Sequence, residues 1–325
     1  MTAEPLPSPV PLLDARSIEK RYRVSRGLLR GKKTLHALAG VDLTIPKGGI
    51  LGLVGESGSG KSTLARLLLG LEAPSAGLIR LEGRPLAAID RKSLARRIQP
   101  VFQDPFSSLN PAQRIGDIIE LPLKVHRIGD ASDRARRLAQ LLDQVGLPSR
   151  AAAAFPRELS GGQRQRAAIA RALAIAPELL ICDEPTSALD VSVQAQILNL
   201  LADLRRETGV AMLFISHDLA VVEHMTDRVA VLYLGRIVEA GPTDAVFHAP
   251  KHPYAQALRS AVLVPQEGGG LPELGLGTSF PNPLDPPSGC RFHTRCPLAE
   301  PRCAREAPLP RHGDDRSVEC HLAQL

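Results

Sequence analysis

The chain has 325 residues, with 40 Lys and Arg against 34 Asp and Glu, a formal charge of +6 and a hydrophobic content of 44%. That length buries a substantial core, and the composition excludes collagen, a fully disordered chain and a small disulfide scaffold. With no Trp, three Tyr and seven Phe, it lacks the stacking platforms that a reader of single-stranded nucleic acid needs.

Residues 1–11 alternate Pro with small and aliphatic residues and lack the basic start and apolar stretch of a signal peptide. They read as a flexible leader on a cytoplasmic protein. No apolar run approaches the roughly 18 residues of a bilayer-spanning helix, so the chain is not expected to cross a membrane by itself. From residue 12 to residue 262, short apolar runs alternate with helical stretches. Ile50–Val54, Leu179–Cys182, Ala211–Ile215 and Val229–Leu232 have strand length; Lys61–Leu69, Ser132–Val145, Gln163–Ala174 and Val193–Arg206 have helical periodicity. Continuously apolar strands spaced by helices imply an α/β fold with a largely parallel sheet, buried on both faces. Residues 116–176 are mostly helical and suggest a helical subdomain over about 104–176. The character changes at 263. Residues 264–325 hold ten Pro and seven Gly with little periodicity, so this extension is expected to be disordered or held by something other than an ordinary core.

Gly55-Glu56-Ser57-Gly58-Ser59-Gly60-Lys61-Ser62-Thr63 follows one apolar run and opens a helix. The spacing is that of a phosphate-binding loop. Its glycines let backbone N–H groups turn inward, the helix start adds positive potential, Lys61 reaches the β- and γ-phosphates, and the Ser62 hydroxyl suits Mg²⁺. A second apolar strand ends in Asp183-Glu184-Pro185. Asp183 suits the outer shell of the magnesium ion, and Glu184 suits polarising the water that attacks the γ-phosphate. Cys182 reads as a small core residue. Between the two lies Leu159-Ser160-Gly161-Gly162-Gln163, physically a capped, glycine-opened helix start able to meet an anion.

With that string the sequence resembles the ATP-binding cassette (ABC) ATPases, whose signature is LSGGQ upstream of the acidic strand. The resemblance implies a P-loop core with a mostly parallel sheet, an antiparallel β part and a helical subdomain. It places Tyr22 against adenine, Gln103 between the magnesium site and a transmembrane partner, Asp190 in the loop that communicates between paired cassettes, and His217 at the γ-phosphate. It also implies a head-to-tail dimer in which the phosphate loop of one cassette faces Ser160-Gly161-Gly162-Gln163 of the other. The partner cassette is a related second subunit or a second copy.

Two further strings, Ser108-Leu109-Asn110-Pro111 and Lys251-His252-Pro253-Tyr254-Ala255-Gln256-Ala257-Leu258, resemble the di- and oligopeptide importer subgroup, as does Pro286–Pro297. Ala112 departs from that pattern, because relatives more often carry a basic residue there. The expected function is ATP hydrolysis that powers peptide import through two membrane permeases, fed indirectly by a substrate-binding protein, at the cytoplasmic face of the inner membrane. Nickel, glutathione or another small solute is an alternative cargo. A soluble ABC ATPase acting on nucleic acid or ribosomes, or a nucleotide-dependent scaffold, is the rival, although nucleic acid is not the expected partner. The basic surplus serves either reading: residues 1–263 carry +8 and the last 62 residues −2.

Cys290, Cys296, Cys303 and Cys320 all fall in the extension. A reducing compartment disfavours disulfides. Free thiols, structural zinc and an iron–sulfur cluster remain, and the spacing matches neither the usual zinc pairs nor the ferredoxin patterns. The resemblance implies a [4Fe–4S] cluster, with Zn²⁺ as the alternative, and a metal would supply the order that the extension's composition does not.

Overall fold

The computed structural model describes residues 10–25, 32–260, 281–313 and 315–324. Along the chain the strands are β1 (Leu13–Ser25), β2 (Lys32–Ile45), β3 (Ile50–Val54), β4 (Ala76–Leu81), β5 (Arg84–Pro85), β6 (Ile98–Val101), β7 (Leu179–Asp183), β8 (Ala211–Ile215), β9 (Arg228–Tyr233), β10 (Arg236–Pro242), β11 (Arg311–Gly313) and β12 (Arg316–Val318). They form two sheets. One is antiparallel, in the order β2-β1-β4-β5; the other has eight strands in the order β11-β12-β10-β9-β3-β8-β7-β6. In the larger sheet β9, β3, β8, β7 and β6 run parallel, whereas β10, β12 and β11 add antiparallel pairings at one edge.

The apolar runs explain the parallel part. All five residues of β3 and of β8 are buried, as required of strands covered on both faces. Successive side chains go to opposite faces. Leu51, Leu53, Ile181, Leu213 and Ile215 pack toward the antiparallel sheet and α1 (Lys61–Leu68), while Ile50, Val54, Leu180, Cys182, Met212 and Phe214 pack toward the other helices. Cys182 is thus a core residue, and burial pushes its thiol up to about 12.

After α2 (Arg91–Arg97) come four helices: α3 (Pro105–Ser108), α4 (Ile115–His126), α5 (Ala131–Gln144) and α6 (Gly161–Leu173). They pack mainly on one another, through residues such as Ile115, Ile119, Leu141 and Ala168. Beyond β7, α7 (Val191–Thr208) stops where Gly209 takes a left-handed φ of 67°; α8 (Leu219–Met225), α9 (Thr243–His248) and α10 (Pro253–Ser260) follow.

The described part of the extension, 281–313 and 315–324, follows the second of its two compositional readings; residues 264–280 lie outside the described residues. The described part forms α11 (Pro301–Arg305) and the hairpin β11–β12, which lengthens the main sheet through Glu239↔Val318 and Ala240↔Ser317. Phe292 is fully buried among Tyr233, Tyr254 and His252. Arg316 pairs with Glu239, whose side chain is wholly buried. Sheet pairing, one aromatic and a buried ion pair hold the extension to the body. Pro and Gly content hid this, because the partners lie about 40 to 80 residues upstream.

Candidate functional site

The turn from β3 into α1 carries the phosphate loop. Gly55 has φ 156° and Gly60 φ 113°. A Cβ at Gly55 would sit 2.2 Å from the Leu232 carbonyl oxygen, and one at Gly60 would sit 2.6 Å from that of Ala37. Only glycine lets the loop pass this close to β9 and β2. Ser57 and Gly58 are exposed at the tip, Ser59 is buried beneath it, and Thr63 lies in the first turn of the helix. Lys61 is buried, and its Nζ donates to the carbonyls of Gly55 (2.6 Å) and Glu56 (3.0 Å). Burial lowers the pKa of Lys61, against the raising influence of Glu184, Asp183 and Glu56.

The loop opens onto a cavity of about 480 Å³, a size usual for a small-molecule site. Ser57, Gly58, Gly60, Lys61, Ser62 and Thr63 line it, together with Gln103 and Glu184. Tyr22 also lines the cavity, with Leu35, His36 and Ala37; its hydroxyl donates to Glu72 Oε2 at 2.7 Å and meets the Thr63 side chain. Burial and the Glu72 carboxylate raise the Tyr22 pKa.

Ser62, Gln103 and Asp183 line a neighbouring cleft of about 320 Å³. Burial raises the Asp183 pKa and Glu184 adds to this, while hydrogen bonding from Ser62 opposes it. Two adjacent, half-buried carboxylates with a hydroxyl and an amide beside them fit a hard divalent cation. Glu184 takes a left-handed φ of 48°, and its N–H donates to the Ile215 carbonyl at 3.0 Å. A non-glycine residue in that region carries strain, and such strain gathers at functional positions. His217, exposed at the end of β8, brings Nδ1 to 3.3 Å from Glu184 Oε2.

Ser160, Gly161, Gly162 and Gln163 are not among the residues lining the cavity. Ser160 and Gln163 form a reciprocal cap at the start of α6: Gln163 N–H donates to Ser160 Oγ at 3.3 Å and Ser160 N–H to Gln163 Oε1 at 3.0 Å. A Cβ at Gly162 would meet Val193 at 2.5 Å, so the second glycine lets α7 pack against this helix start. Asp190 is exposed at the N-cap of α7 and makes no side-chain cap bond.

Sequence reasoning missed the extension's share in this site. Pro283, Pro286 and Arg291 line the cavity, and Arg291 donates to the Leu234 carbonyl. Arg295 grips the Glu56 carboxylate with two bonds, 2.9 and 3.1 Å long. Burial opposes the Arg295 charge, but the bonds to Glu56 and Tyr233 outweigh it and raise the pKa. No local signal announces these contacts, because Arg295 and Glu56 are 239 positions apart.

The five cysteines are free thiols. The four in the extension converge: Cys290 N–H donates to the Cys303 carbonyl at 2.8 Å. Burial first, then the proximity of Cys303, Cys320 and Cys296, pushes the Cys290 thiol up to about 11. The donor chemistry and this gathering suit a four-thiolate ligand set. The side-chain placement does not, since among the described residues no three His, Cys, Asp or Glu side chains stand as a metal site. The order expected from a metal comes instead from the sheet pairing and the Arg316–Glu239 pair.

The family described as "ABC transporter" matches residues 38–187, and "Oligopeptide/dipeptide transporter, C-terminal region" matches 238–303. The probable peptide ABC transporter ATP-binding protein y4tS of Sinorhizobium fredii is 50% identical over 96% of this chain and 90% of its own length. The di/tripeptide transport ATP-binding protein DppF of Pseudomonas aeruginosa is 46% identical over 96% and 98%, and the oligopeptide transport ATP-binding protein AppF of Bacillus subtilis 43% over 96% and 97%. Among solved structures, a dimeric ATP-binding cassette bound to ADP and Pi in a post-hydrolysis state aligns with TM-score 0.63 and 30% identity, over 71% of this chain and 98% of that one. With a phosphate loop, an acidic strand end and a signature helix on this fold, the chain belongs to the ATP-binding cassette ATPases, in the group that carries the oligopeptide/dipeptide transporter C-terminal region.

Proposed function

We propose that this chain binds and hydrolyses ATP to power the import of di- or oligopeptides. The observation that carries the reading is the meeting of Lys61, Ser62, Gln103 and Glu184 on one cavity, in a chain with a peptide-transporter type of extension. The loop amides and Lys61 take the phosphates, leaving the carbonyls of Gly55 and Glu56 to be released as Lys61 turns to the nucleotide. Mg²⁺ would be held by Ser62 and Gln103, with Asp183 behind them, and would supply positive charge at the phosphate oxygens. Glu184 accepts the proton of the attacking water, and His217 holds the Glu184 carboxylate in place. Tyr22 stacks on the base.

In the same proposal residues 12–262 are the ATPase unit, with a helical part over about 104–176, and 263–325 are an extension. Ser160–Gln163 and Asp190 face a second cassette, a related subunit or another copy. Two permeases dock near Gln103, with a substrate-binding protein acting through them, and the chain sits on the cytoplasmic face of the cell membrane. The [4Fe–4S] cluster, with zinc as its alternative, rests on the gathering of the four thiols alone. Iron and zinc content of anaerobically purified protein decides it, and protein free of both overturns it.

The chemical test is Glu184→Gln. ATP binding is retained and turnover falls about 100-fold or more, as expected on removal of a general base; wild-type turnover removes Glu184 from that role. Purification of the chain with two membrane permeases, and peptide uptake lost on its deletion, tests the transport reading.

A further inference from the structure

The phosphate loop is held at one residue from two directions, by Tyr254 of α10 and by Arg295 of the extension. Glu56 N–H donates to Tyr254 Oη at 3.0 Å, and the Glu56 carboxylate accepts both bonds of Arg295. Neither contact is incidental to its surroundings. Tyr254 is fully buried, 4.6 Å from Tyr233 between ring centroids, and the Arg295 guanidinium lies 5.9 Å from the centroid of the Tyr233 ring. The Arg295 side chain is only 10% exposed. The Glu56 carbonyl, on the same residue as this double hold, is one of the two acceptors of Lys61 Nζ.

We propose that Arg295 is a positioning residue for ATP binding, holding the phosphate loop through Glu56 in its binding-ready form before nucleotide arrives. The inference rests on the ATPase reading and deepens it. A glycine-rich loop loses conformational freedom when it closes on phosphate, and a loop already held loses less. The hold does not change as the γ-phosphate bond breaks, so it strengthens ground-state and transition-state binding alike. Its loss therefore raises KM and leaves kcat nearly unchanged. Arg295 touches no substrate; it acts through the Glu56 carboxylate.

The test uses the full-length ATPase with MgATP. Arg295→Ala raises KM about tenfold, the equivalent of about 1.4 kcal/mol, with kcat within about twofold of wild type. Glu56→Gln does the same, the double variant is no worse than either single one, and Arg295→Lys recovers part of the loss. Unchanged KM in both singles, or multiplying effects in the double variant, overturns the inference. Should Arg295→Ala fail to fold, Glu56→Gln carries the test alone, because it weakens the pair without removing a tail residue. Lys61→Ala separates the two readings. If it loses ATP binding while Arg295→Ala leaves KM unchanged, only the positioning role falls; if it binds and hydrolyses ATP normally, the ATPase site itself is misassigned.

Discussion

His252 shows how a single side chain in the body answers to pH. It is fully buried, and its Nδ1 accepts the Tyr254 N–H at 3.0 Å. Burial pushes its pKa down to about 3, so it folds as the neutral ring. In the unfolded chain it protonates at its ordinary value near 6.5. Stability from this residue is therefore complete above about pH 6.5 and is lost progressively as pH falls toward 3. Thermal melts between pH 7 and 5.5, where most carboxylates stay ionised, should show a falling Tm that His252→Asn flattens, since Asn offers an acceptor without a proton to gain. An unchanged slope would place the pH dependence elsewhere. The residues of the nucleotide site were legible one by one, because phosphate chemistry constrains Gly55–Thr63 and Asp183–Glu184 within short strings. Arg291 and Arg295 were not, since nothing next to them in sequence records what they touch.

At the scale of elements, β10 organises the extension. Glu239 accepts the N–H groups of Lys251 (3.0 Å) and His252 (2.8 Å), and Arg316 Nε at 3.0 Å. One buried carboxylate thus sets the start of α10, which carries Tyr254, and fastens β12. Removing Arg316 leaves that carboxylate with its backbone donors only. Such a loss costs about 3–5 kcal/mol in a buried pair, so Arg316→Ala should lower Tm markedly and expose the extension to limited proteolysis. Arg302→Ala, which breaks the exposed pair with Glu306, should cost about 0.5 kcal/mol or less. Equal losses would deny the buried pair its anchoring role. The central strands were readable because two-sided burial writes a continuous apolar run. The strands β11 and β12 are three residues each, too short for any periodicity to show, and they exist because β10 offers an open edge.

For the whole molecule, the signature cap on α6 and the phosphate cavity belong to different parts of one chain, and in the proposed arrangement a second cassette completes the ATP site. Glu184→Gln, by holding ATP unhydrolysed, should drive a two-cassette species in sedimentation, either with another copy or with a related subunit. Ser160→Arg should abolish that species while leaving binding at the cavity of the same chain unchanged. A single-cassette species under saturating ATP with every cassette partner present would refute the arrangement. The hold of Arg295 on Glu56 also bears on how the chain comes into being. The two partners are 239 positions apart, and synthesis proceeds at about 5–20 residues per second, so the loop emerges roughly 10 to 50 seconds before its partner exists. Once Tyr254 has emerged the loop has its bond to that hydroxyl, but until Arg295 follows, the Glu56 carboxylate lacks its guanidinium partner. If Arg295 positions the loop, a chain that ends before residue 295 keeps the Tyr254 bond to Glu56 but lacks the ion pair, and its KM for MgATP should match that of Arg295→Ala.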